Sequence, residues 1–236
     1  MLTVGLIGAG RIGRVHASTI VQDEGSQLVA VADSVDENAK NLAKLYKVNP
    51  RSVDAIFEDN SIEAILIASS TDTHSDFIEK ASKAGKAILC EKPVDLSLAR
   101  AKRCLENTKS NEHLIMMGFN RRFDPNFVAL KNALDGGEIG TAELLSITSF
   151  DPAPPPIDYV KVSGGIFKDM MIHDFDMANF LYGELPKSVF VSASAIIDKK
   201  IGALGDYDTA VATLKYRDGR LAVSYTHLRA HETNVD

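Results

Sequence analysis

Residues 3–13 read Thr-Val-Gly-Leu-Ile-Gly-Ala-Gly-Arg-Ile-Gly and join a short apolar run to a glycine-rich turn. The apolar run predicts a β-strand, and the pattern that follows predicts a helix through Val21. In the spacing G-x-G-x-x-G, Gly8 allows a tight turn, Gly10 allows close approach to a pyrophosphate, and Gly13 allows the helix to pack on the strand. The positive end of the helix dipole would then face the phosphates.

A carboxylate follows at the position where a dinucleotide-binding unit needs one. The apolar run Gln27 to Ala32 predicts a second strand and ends at Asp33, about 20 residues after the last glycine of the turn. A carboxylate there accepts hydrogen bonds from ribose hydroxyls and repels a 2′-phosphate. Ser34 and Val35 come next, with no arginine to receive such a phosphate. NAD is therefore favoured over NADP, although the Ser34 hydroxyl could still bind a phosphate.

Strand and helix patterns alternate as far as Gly118, which predicts a doubly wound, parallel Rossmann sheet. Ligands on such a sheet collect at the carboxyl ends of its strands. The further predicted elements are helix Asp36–Tyr46, a short strand near Ala55–Phe57, strand Ala64–Ala68, a helix to about Ala84, strand Ala87–Cys90, helix Ser97–Lys109 and strand Leu114–Gly118. The polar residues at the strand ends are Asp33, Ser69 to His74, Lys92 and Asn120.

Lys92 follows an apolar strand and stands between Glu91 and Pro93. Most lysines are solvated surface charges, and that is the alternative interpretation. Here Pro93 restricts Lys92 to an extended backbone. An ammonium held at the sheet edge could neutralise a developing alkoxide or bind a substrate hydroxyl, which favours a functional interpretation.

The second half of the chain predicts a mixed α/β domain with a mainly antiparallel sheet. Its predicted elements are helix Pro125–Asp135, strand Ala142–Ser149, a helix around Asp169 to about Leu181, and strands Ser188–Ile197 and Thr209–Tyr216. On an α-helix, the four-residue spacing of Asp169 and His173 puts both side chains on one face. A carboxylate that orients an imidazole is a recurring general base. The pair alone does not exclude a structural role.

Bulk properties argue against several classes of function. The chain has 236 residues, of which 45% are hydrophobic and 25% charged, as in ordinary soluble domains. A net charge of −6 without a basic stripe argues against nucleic acid and membrane partners. Cys90 and Cys104 lack the spacing of a metal site or disulfide framework. The first residues lack the basic region of a signal peptide, so a cytoplasmic protein is expected.

Four motifs in combination resemble the Gfo/Idh/MocA oxidoreductases. They are the glycine turn of residues 8–13, Glu91-Lys92-Pro93, the Gly-Phe-Asn-Arg-Arg-Phe stretch of residues 118–123, and Asp169-x-x-x-His173. The resemblance covers about residues 1–222, and residues 151–176 look most like the members that oxidise inositol. Phe150 departs from the basic or polar residue expected there, which leaves the fine substrate specificity open.

The resemblance implies an NAD-dependent oxidation of a cyclic polyol, myo-inositol, to its 2-keto form. By this analogy His173 is the general base, Asp169 orients it, and Lys92 contacts the reacting oxygen. The implied substrate-binding residues are Asn120, Arg122, Asp151 and Tyr159. The residues assigned to NAD are Gly8, Gly10, Arg11, Ile12, Gly13, Asp33, Ser34, Ser69, His74, Glu91 and Lys92.

Several other assignments accompany this hypothesis. The resemblance implies a homo-oligomer, specifically a tetramer, for the full-length protein. No metal is expected, because no second histidine or cysteine lies near Asp169 and His173 in sequence. His16 and His113 are predicted to be structural or exposed. The alternative functions are a related sugar or scyllo-inositol dehydrogenase and a catalytically silent NAD-binding protein. The presence of Lys92, Asp169 and His173 together argues against the silent protein.

The predicted domains are residues 1–119, a dinucleotide-binding domain, and residues 120–222, a truncated substrate domain. Residues 223–236 are predicted to be a non-native tail, because Tyr225 to Glu232 match the translation of a sequencing-library adapter. We expect the alternation of elements not to continue there. His227 and His231 would resemble a metal-binding pair on a natural helix, and the adapter interpretation gives them no function.

Overall fold

The computed structural model describes residues 1–109 and 114–229, and it comprises two compact units, Met1–Gly118 and Phe119–Asp236. The predicted domain boundary, after residue 119, lies one residue later than the boundary between these units. His113 and His231 lie outside the described residues. Of the helices in the described part, none combines the length and the apolar character needed to cross a membrane.

The first unit is a six-stranded parallel sheet with helices on both faces, which confirms the predicted Rossmann architecture. Its elements are β1 (Leu2–Ile7), α1 (Arg11–Gln22), β2 (Ser26–Ala32), α2 (Asp36–Tyr46), β3 (Asn49–Pro50), α3 (Val53–Glu58), β4 (Ala64–Ile67), α4 (Thr71–Lys83), β5 (Ala87–Cys90), α5 (Leu98–Thr108) and β6 (Ile115–Met117). The strand order is β3-β2-β1-β4-β5-β6. The order therefore reverses between β1 and β4, the place where such sheets bind ligands.

The two faces of this sheet bury separate apolar clusters. Leu6 packs with Ala17 of α1 and Leu42 of α2 on one face. Ile7, its neighbour in β1, belongs to the cluster on the other face, together with Ile78 of α4. Because β1 is covered on both sides, its sequence is almost continuously apolar, as is usual for a central parallel strand.

One predicted strand is wrong. Residues 55–57 belong to helix α3, and the short third strand lies earlier, at Asn49–Pro50. The Ser52 hydroxyl oxygen accepts a hydrogen bond from the Ala55 backbone N–H at 3.2 Å, and Asp54 lies in the first turn. A serine cap followed by an acid is a helix-start signal, which outweighs the β-propensity of a short apolar run.

The second unit holds a four-stranded sheet in the order β7-β10-β9-β8, and its mainly antiparallel character confirms the prediction. Its elements are a 3-10 turn (Asn120–Phe123), α6 (Pro125–Asp135), β7 (Leu144–Phe150), α7 (Ile157–Ser163), a π turn (Phe167–Met171), α8 (Ile172–Tyr182), β8 (Ser188–Ser194), α9 (Lys199–Ala203), β9 (Thr209–Lys215) and β10 (Leu221–His227). Only β10 and β7 pair in parallel among these strands; β9 is antiparallel to both β8 and β10.

Strand β10 corrects the expectation that regular structure ends near residue 222. Residues 221–227 pair with β9 on one side and with β7 on the other. Ala222, Ser224 and Thr226 are buried, while the residues between them are more exposed. This two-residue alternation is the pattern of a strand with one covered face. The non-native origin assigned to residues 223–236 stays a prediction.

Candidate functional site

The glycine turn between β1 and α1 leaves space at one of its three glycines. Gly8 has a φ of +103°, and a Cβ there would come within 2.4 Å of the Ala68 carbonyl. A Cβ on Gly13 would come within 1.9 Å of the Gly8 oxygen. A Cβ on Gly10 would have nothing within 4 Å. Packing therefore requires glycine at positions 8 and 13, whereas position 10 borders open space where a ligand can approach the backbone.

The start of α1 is suited to an anion. Gly10 is the N-cap residue and supplies no side-chain cap for the amides of the first turn. Arg11 and Ile12 begin that turn, the arginine exposed and the isoleucine partly buried. Uncapped amides at the positive end of a twelve-residue helix can bind phosphate oxygens. These features fit the pyrophosphate of a dinucleotide.

Asp33 is held in place by the turn itself. Its Oδ2 accepts a hydrogen bond from the Ala9 backbone N–H at 2.6 Å, and its Oδ1 accepts one from the Val35 backbone N–H at 2.8 Å. Each oxygen of an ionised carboxylate has a second lone pair, so Asp33 can still accept hydrogen bonds from ribose hydroxyls. Ser34, predicted to lie beside the cofactor, is exposed next to it.

His74, which was predicted to contact the cofactor directly, is buried next to the end of β4. Its side chain is 1% exposed, and its ring lies between two backbone carbonyls. Nδ1 is 2.8 Å from the Pro93 oxygen, and Nε2 is 3.1 Å from the Ser69 oxygen. Ser69 is itself partly exposed at the end of β4, with its hydroxyl 2.7 Å from that of Thr73.

Glu91, Lys92 and Pro93 follow β5, and Lys92 is partly exposed. The peptide bond between Lys92 and Pro93 is cis. His16 of α1 donates from Nε2 to the Glu91 carboxylate at 2.6 Å. Burial by itself would raise the pKa of Glu91, but the hydrogen bond from His16 and the charge of Lys92 outweigh it and lower that pKa. A negative charge is thus kept next to the Lys92 ammonium.

In the second unit, Asp169 and His173 do not share one uninterrupted α-helix, and this corrects the prediction. Asp169 lies in the π turn Phe167–Met171, and His173 lies in α8, which begins at Ile172. A π turn follows an i→i+5 hydrogen-bonding pattern, so four-residue stacking on an α-helix does not describe the pair. Such turns are frequent at functional sites. The Asp206 carboxylate accepts a hydrogen bond from the Ile166 N–H at 3.1 Å, just before the turn.

The surroundings of the two residues are polar on one side and aromatic on the other. The Tyr159 hydroxyl donates to Asp169 Oδ1 at 3.0 Å. The His173 ring meets the Phe119 ring edge-to-face, with centroids 6.4 Å apart. Both His173 and Asp169 are partly exposed. The structure thus brings a residue predicted to bind substrate, Tyr159, onto the predicted catalytic carboxylate.

Two ion pairs fasten the 3-10 turn to α8 next to His173. Arg121 donates to Asp174 at 2.5 Å, and Asp174 is fully buried. Arg122 contacts the Asp176 carboxylate with two donors, at 2.8 and 2.6 Å, and the hydrogen bond to Asp176 raises the pKa of Arg122. The guanidinium of Arg122 is therefore anchored to Asp176, and its contact with substrate stays a prediction.

The remaining predicted substrate residues lie at the margins of these elements. Asn120 is exposed at the start of the 3-10 turn, and Asp151 is partly exposed directly after β7. Neither position is tied to α8 by the ion pairs described above. Both stay candidates for contacts with a polar ligand.

Comparison with known proteins agrees with this geometry. Residues 2–119 match the model of the Gfo/Idh/MocA family, described as an oxidoreductase family with an NAD-binding Rossmann fold. Residues 127–235 match the Gfo/Idh/MocA C-terminal domain. The chain belongs to the Gfo/Idh/MocA oxidoreductase family. It is accordingly an oxidoreductase whose cofactor is NAD.

Individual relatives are similar over nearly the whole chain. An inositol 2-dehydrogenase of Rhizobium meliloti (strain 1021) is 49% identical over 226 residues, which cover 96% of this chain and 68% of that protein. A myo-inositol 2-dehydrogenase of Thermotoga maritima is 43% identical, over 97% of this chain and 69% of that protein. The crystal structure of a myo-inositol dehydrogenase from Corynebacterium glutamicum superposes with a TM-score of 0.93 at 39% identity, over 98% of this chain and 69% of that one.

Three residues that hold these segments together were not predicted as site residues: His16, Arg121 and Asp174. His16 had a local signal, because it falls on the same face of α1 as buried Gly13 and Ala17. Arg121 had one as well, because it lies in the Gly-Phe-Asn-Arg-Arg-Phe stretch of residues 118–123, but its pairing with Asp174, 53 residues away, had none. Charged residues are seldom fully buried unless they are paired, so the burial of Asp174 can be predicted only when its partner is known.

Proposed function

We propose that this protein oxidises myo-inositol to its 2-keto form with NAD as the hydride acceptor. The observation that carries the proposal is the similarity to inositol dehydrogenases across both units, which includes the segments that hold Lys92, Asp169 and His173. The space beside Gly10 and the orientation of Asp33 support the cofactor assignment. The contact between Tyr159 and Asp169 supports a polar substrate site.

The residues divide the chemistry as follows. Oxidation of a secondary alcohol removes a proton from the hydroxyl oxygen and a hydride from the carbon that bears this oxygen. NAD, when bound, accepts the hydride. His173 takes the hydroxyl proton, and Asp169 favours the imidazolium that results. The Lys92 ammonium stabilises the negative charge that develops on the oxygen before the carbonyl forms.

A neutral polyol is recognised through its hydroxyl groups. Asn120, Asp151 and Tyr159 supply amide, carboxylate and phenol groups that match such a ligand. A site that pairs every hydroxyl rejects a stereoisomer because the wrong isomer leaves polar groups unpaired. Arg122, which is paired with Asp176, is a further candidate for contact with the substrate.

The test is an assay of NAD reduction with myo-inositol, scyllo-inositol and glucose. Activity with myo-inositol supports the proposal, whereas activity with glucose or scyllo-inositol alone would identify a relative of different specificity. Absence of turnover with every substrate would favour an NAD-binding protein without catalysis. His173→Ala should lower kcat by about 10²- to 10⁴-fold while NAD binding persists. Lys161→Ala, an exposed change on α7, is the matched control and should leave kcat unchanged.

The proposal extends to the assembly and its location. We propose that the full-length protein is a homo-oligomer, specifically a tetramer by family resemblance. We also propose that it acts in the cytoplasm. Light scattering coupled to size-exclusion chromatography measures the assembly, and cell fractionation measures the location. A monomer at micromolar concentration would contradict the first of these.

A further inference from the structure

Two consecutive buried side chains of α4 hold the segment that follows β5. His74 and Ser75 are each 1% exposed. The ring of His74 contacts the Pro93 carbonyl, while the Ser75 hydroxyl donates to the Asp95 carboxylate at 2.7 Å. The first contact is made one residue after Lys92 and the second three residues after it.

The chemistry of the His74 ring makes the Pro93 contact the stronger one. Both of its neighbours are carbonyl oxygens, which only accept hydrogen bonds, and a neutral imidazole donates from a single nitrogen. The Nδ1 distance to Pro93 is 2.8 Å, against 3.1 Å from Nε2 to Ser69. The geometry therefore favours Nδ1–H as the donor to Pro93. Loss of this N–H would leave a carbonyl without its buried donor.

The same ring joins two neighbouring strand ends. Strands β4 and β5 pair in parallel through Ile67 and Cys90, and Ser69 and Pro93 follow them. A rigid ring between those carbonyls fixes the spacing of the two chain segments. On the opposite side of Lys92, His16 holds Glu91. Lys92 thus has a histidine-anchored residue on each side.

We propose that His74 is a positioning residue for Lys92, which acts through the Pro93 carbonyl and not through contact with cofactor or substrate. The proposal rests on the proposed function, in which the Lys92 ammonium stabilises charge on the reacting oxygen. Displacement of a catalytic group by about 1 Å can lower turnover by about 10²-fold. His74 contributes to turnover by preventing such a displacement.

Two substitutions separate the contacts of the ring. An Asn amide nitrogen can replace Nδ1, and a Gln amide nitrogen can replace Nε2. His74→Asn should keep the Pro93 contact and most of kcat, whereas His74→Gln and His74→Ala should lower kcat by about tenfold or more with an unchanged KM for NAD. Ser75→Ala removes a hydrogen bond made by an equally buried side chain of the same helix, and it should lower the Tm without lowering kcat.

The outcomes decide the proposal directly. A folded His74→Asn variant with the same loss of kcat as His74→Ala would overturn it. So would a loss of kcat in Ser75→Ala that, for a given loss of Tm, equals the loss of kcat in His74→Gln. If His74→Gln does not fold, the comparison of His74→Asn with His74→Ala still decides between the two explanations.

A second measurement does not depend on turnover. An amine-reactive acid anhydride modifies Lys92, and peptide mass mapping measures the rate of this modification. The rate reports the accessibility and the local environment of the Lys92 amino group. We expect this rate to change in His74→Ala and to stay as in the parent protein in Ser75→Ala and His74→Asn. An unchanged rate in His74→Ala would overturn the proposal. If the parent protein oxidises no cyclitol, the proposed function fails, and the modification rate still tests the positioning.

Discussion

Single atoms decide which glycines of the turn can be replaced. A Cβ on Gly13 would collide with the Gly8 oxygen, whereas one on Gly10 would meet nothing within 4 Å. We expect Gly13→Ala to lower the free energy of unfolding by about 1–3 kcal/mol. Gly10→Ala should change it by less than about 1 kcal/mol but should weaken NAD binding, because the methyl group occupies the ligand's space.

Urea unfolding and NAD titration of the two glycine variants check this prediction together. Gly10→Ala serves as the stability control for Gly13→Ala, because both add the same methyl group to one turn. Equal destabilisation by the two substitutions, or normal NAD affinity of Gly10→Ala, would contradict the assignment of space in the turn.

At the same scale, His16 sets the ionisation of Glu91. Burial opposes the charged carboxylate, and the hydrogen bond from His16 reverses that effect, so the pKa of Glu91 is lowered from 4.5. A carboxylate with a lowered folded pKa contributes stability that is present above its unfolded pKa and is lost as the pH falls through the folded value. His16→Ala should raise the pKa of Glu91 and remove this contribution.

Carbon NMR titration of the Glu91 carboxyl measures the pKa, and denaturation midpoints from neutral pH to below pH 4.5 measure the stability. The parent protein should lose more stability than His16→Ala as the pH falls through this window. Parallel curves for the two proteins would show that the pair does not control the charge on Glu91.

At the scale of elements, the two ion pairs between the 3-10 turn and α8 differ in burial and should differ in strength. Asp174 is fully buried, whereas the Arg122 side chain of the other pair is 42% exposed. Arg121→Met would leave a buried charge without its cation and should destabilise by about 3–5 kcal/mol. Arg122→Met should cost about 1 kcal/mol or less.

Chemical denaturation of the two methionine variants measures the difference, and each variant is the control for the other. The Asp174 carboxylate also accepts a hydrogen bond from Ser149 at 2.8 Å, which offsets part of the loss. A smaller effect for Arg121→Met than for Arg122→Met would refute the ranking by burial. Loss of kcat in a stable Arg122→Met variant would instead support its predicted contact with substrate.

At the scale of the whole molecule, strand β8 is an exposed apolar edge of the second sheet. Val189, Phe190 and Val191 are 52%, 71% and 38% exposed, and β8 pairs with β9 on one side only. An exposed apolar edge strand favours association with another chain. Phe190→Ser should therefore reduce concentration-dependent association, as measured by light scattering.

Leu45→Ser is the matched control, because Leu45 is 68% exposed but stands alone on α2. A single exposed apolar residue on a helix is ordinary and should not drive association. If Leu45→Ser reduced association as much as Phe190→Ser, general surface hydropathy would explain the effect, and the edge strand would not.

The local elements of this protein were readable because their signals are local. Each of these signals lies within a short stretch of sequence. The glycine turn with Asp33 predicted the Rossmann unit, together with the alternation of apolar runs and helical patterns. Such patterns also predicted the general character of the second sheet. The errors have local reasons as well. The Ser52 cap turned an expected strand into α3, and the π turn at Phe167–Met171 replaced part of an expected α-helix.

By itself, the sequence determined the fold class, the cofactor turn and the identity of the residues available for chemistry. Only the tertiary structure decided which of them are partners. His16 and Glu91 are 75 residues apart, and Arg121 and Asp174 are 53 apart. Such contacts depend on how strands and helices register against one another, and periodicity in one segment carries no information about that register. For the same reason, only the fold brings the His74 ring between the carbonyls of Ser69 and Pro93, the contacts on which its proposed support of Lys92 rests.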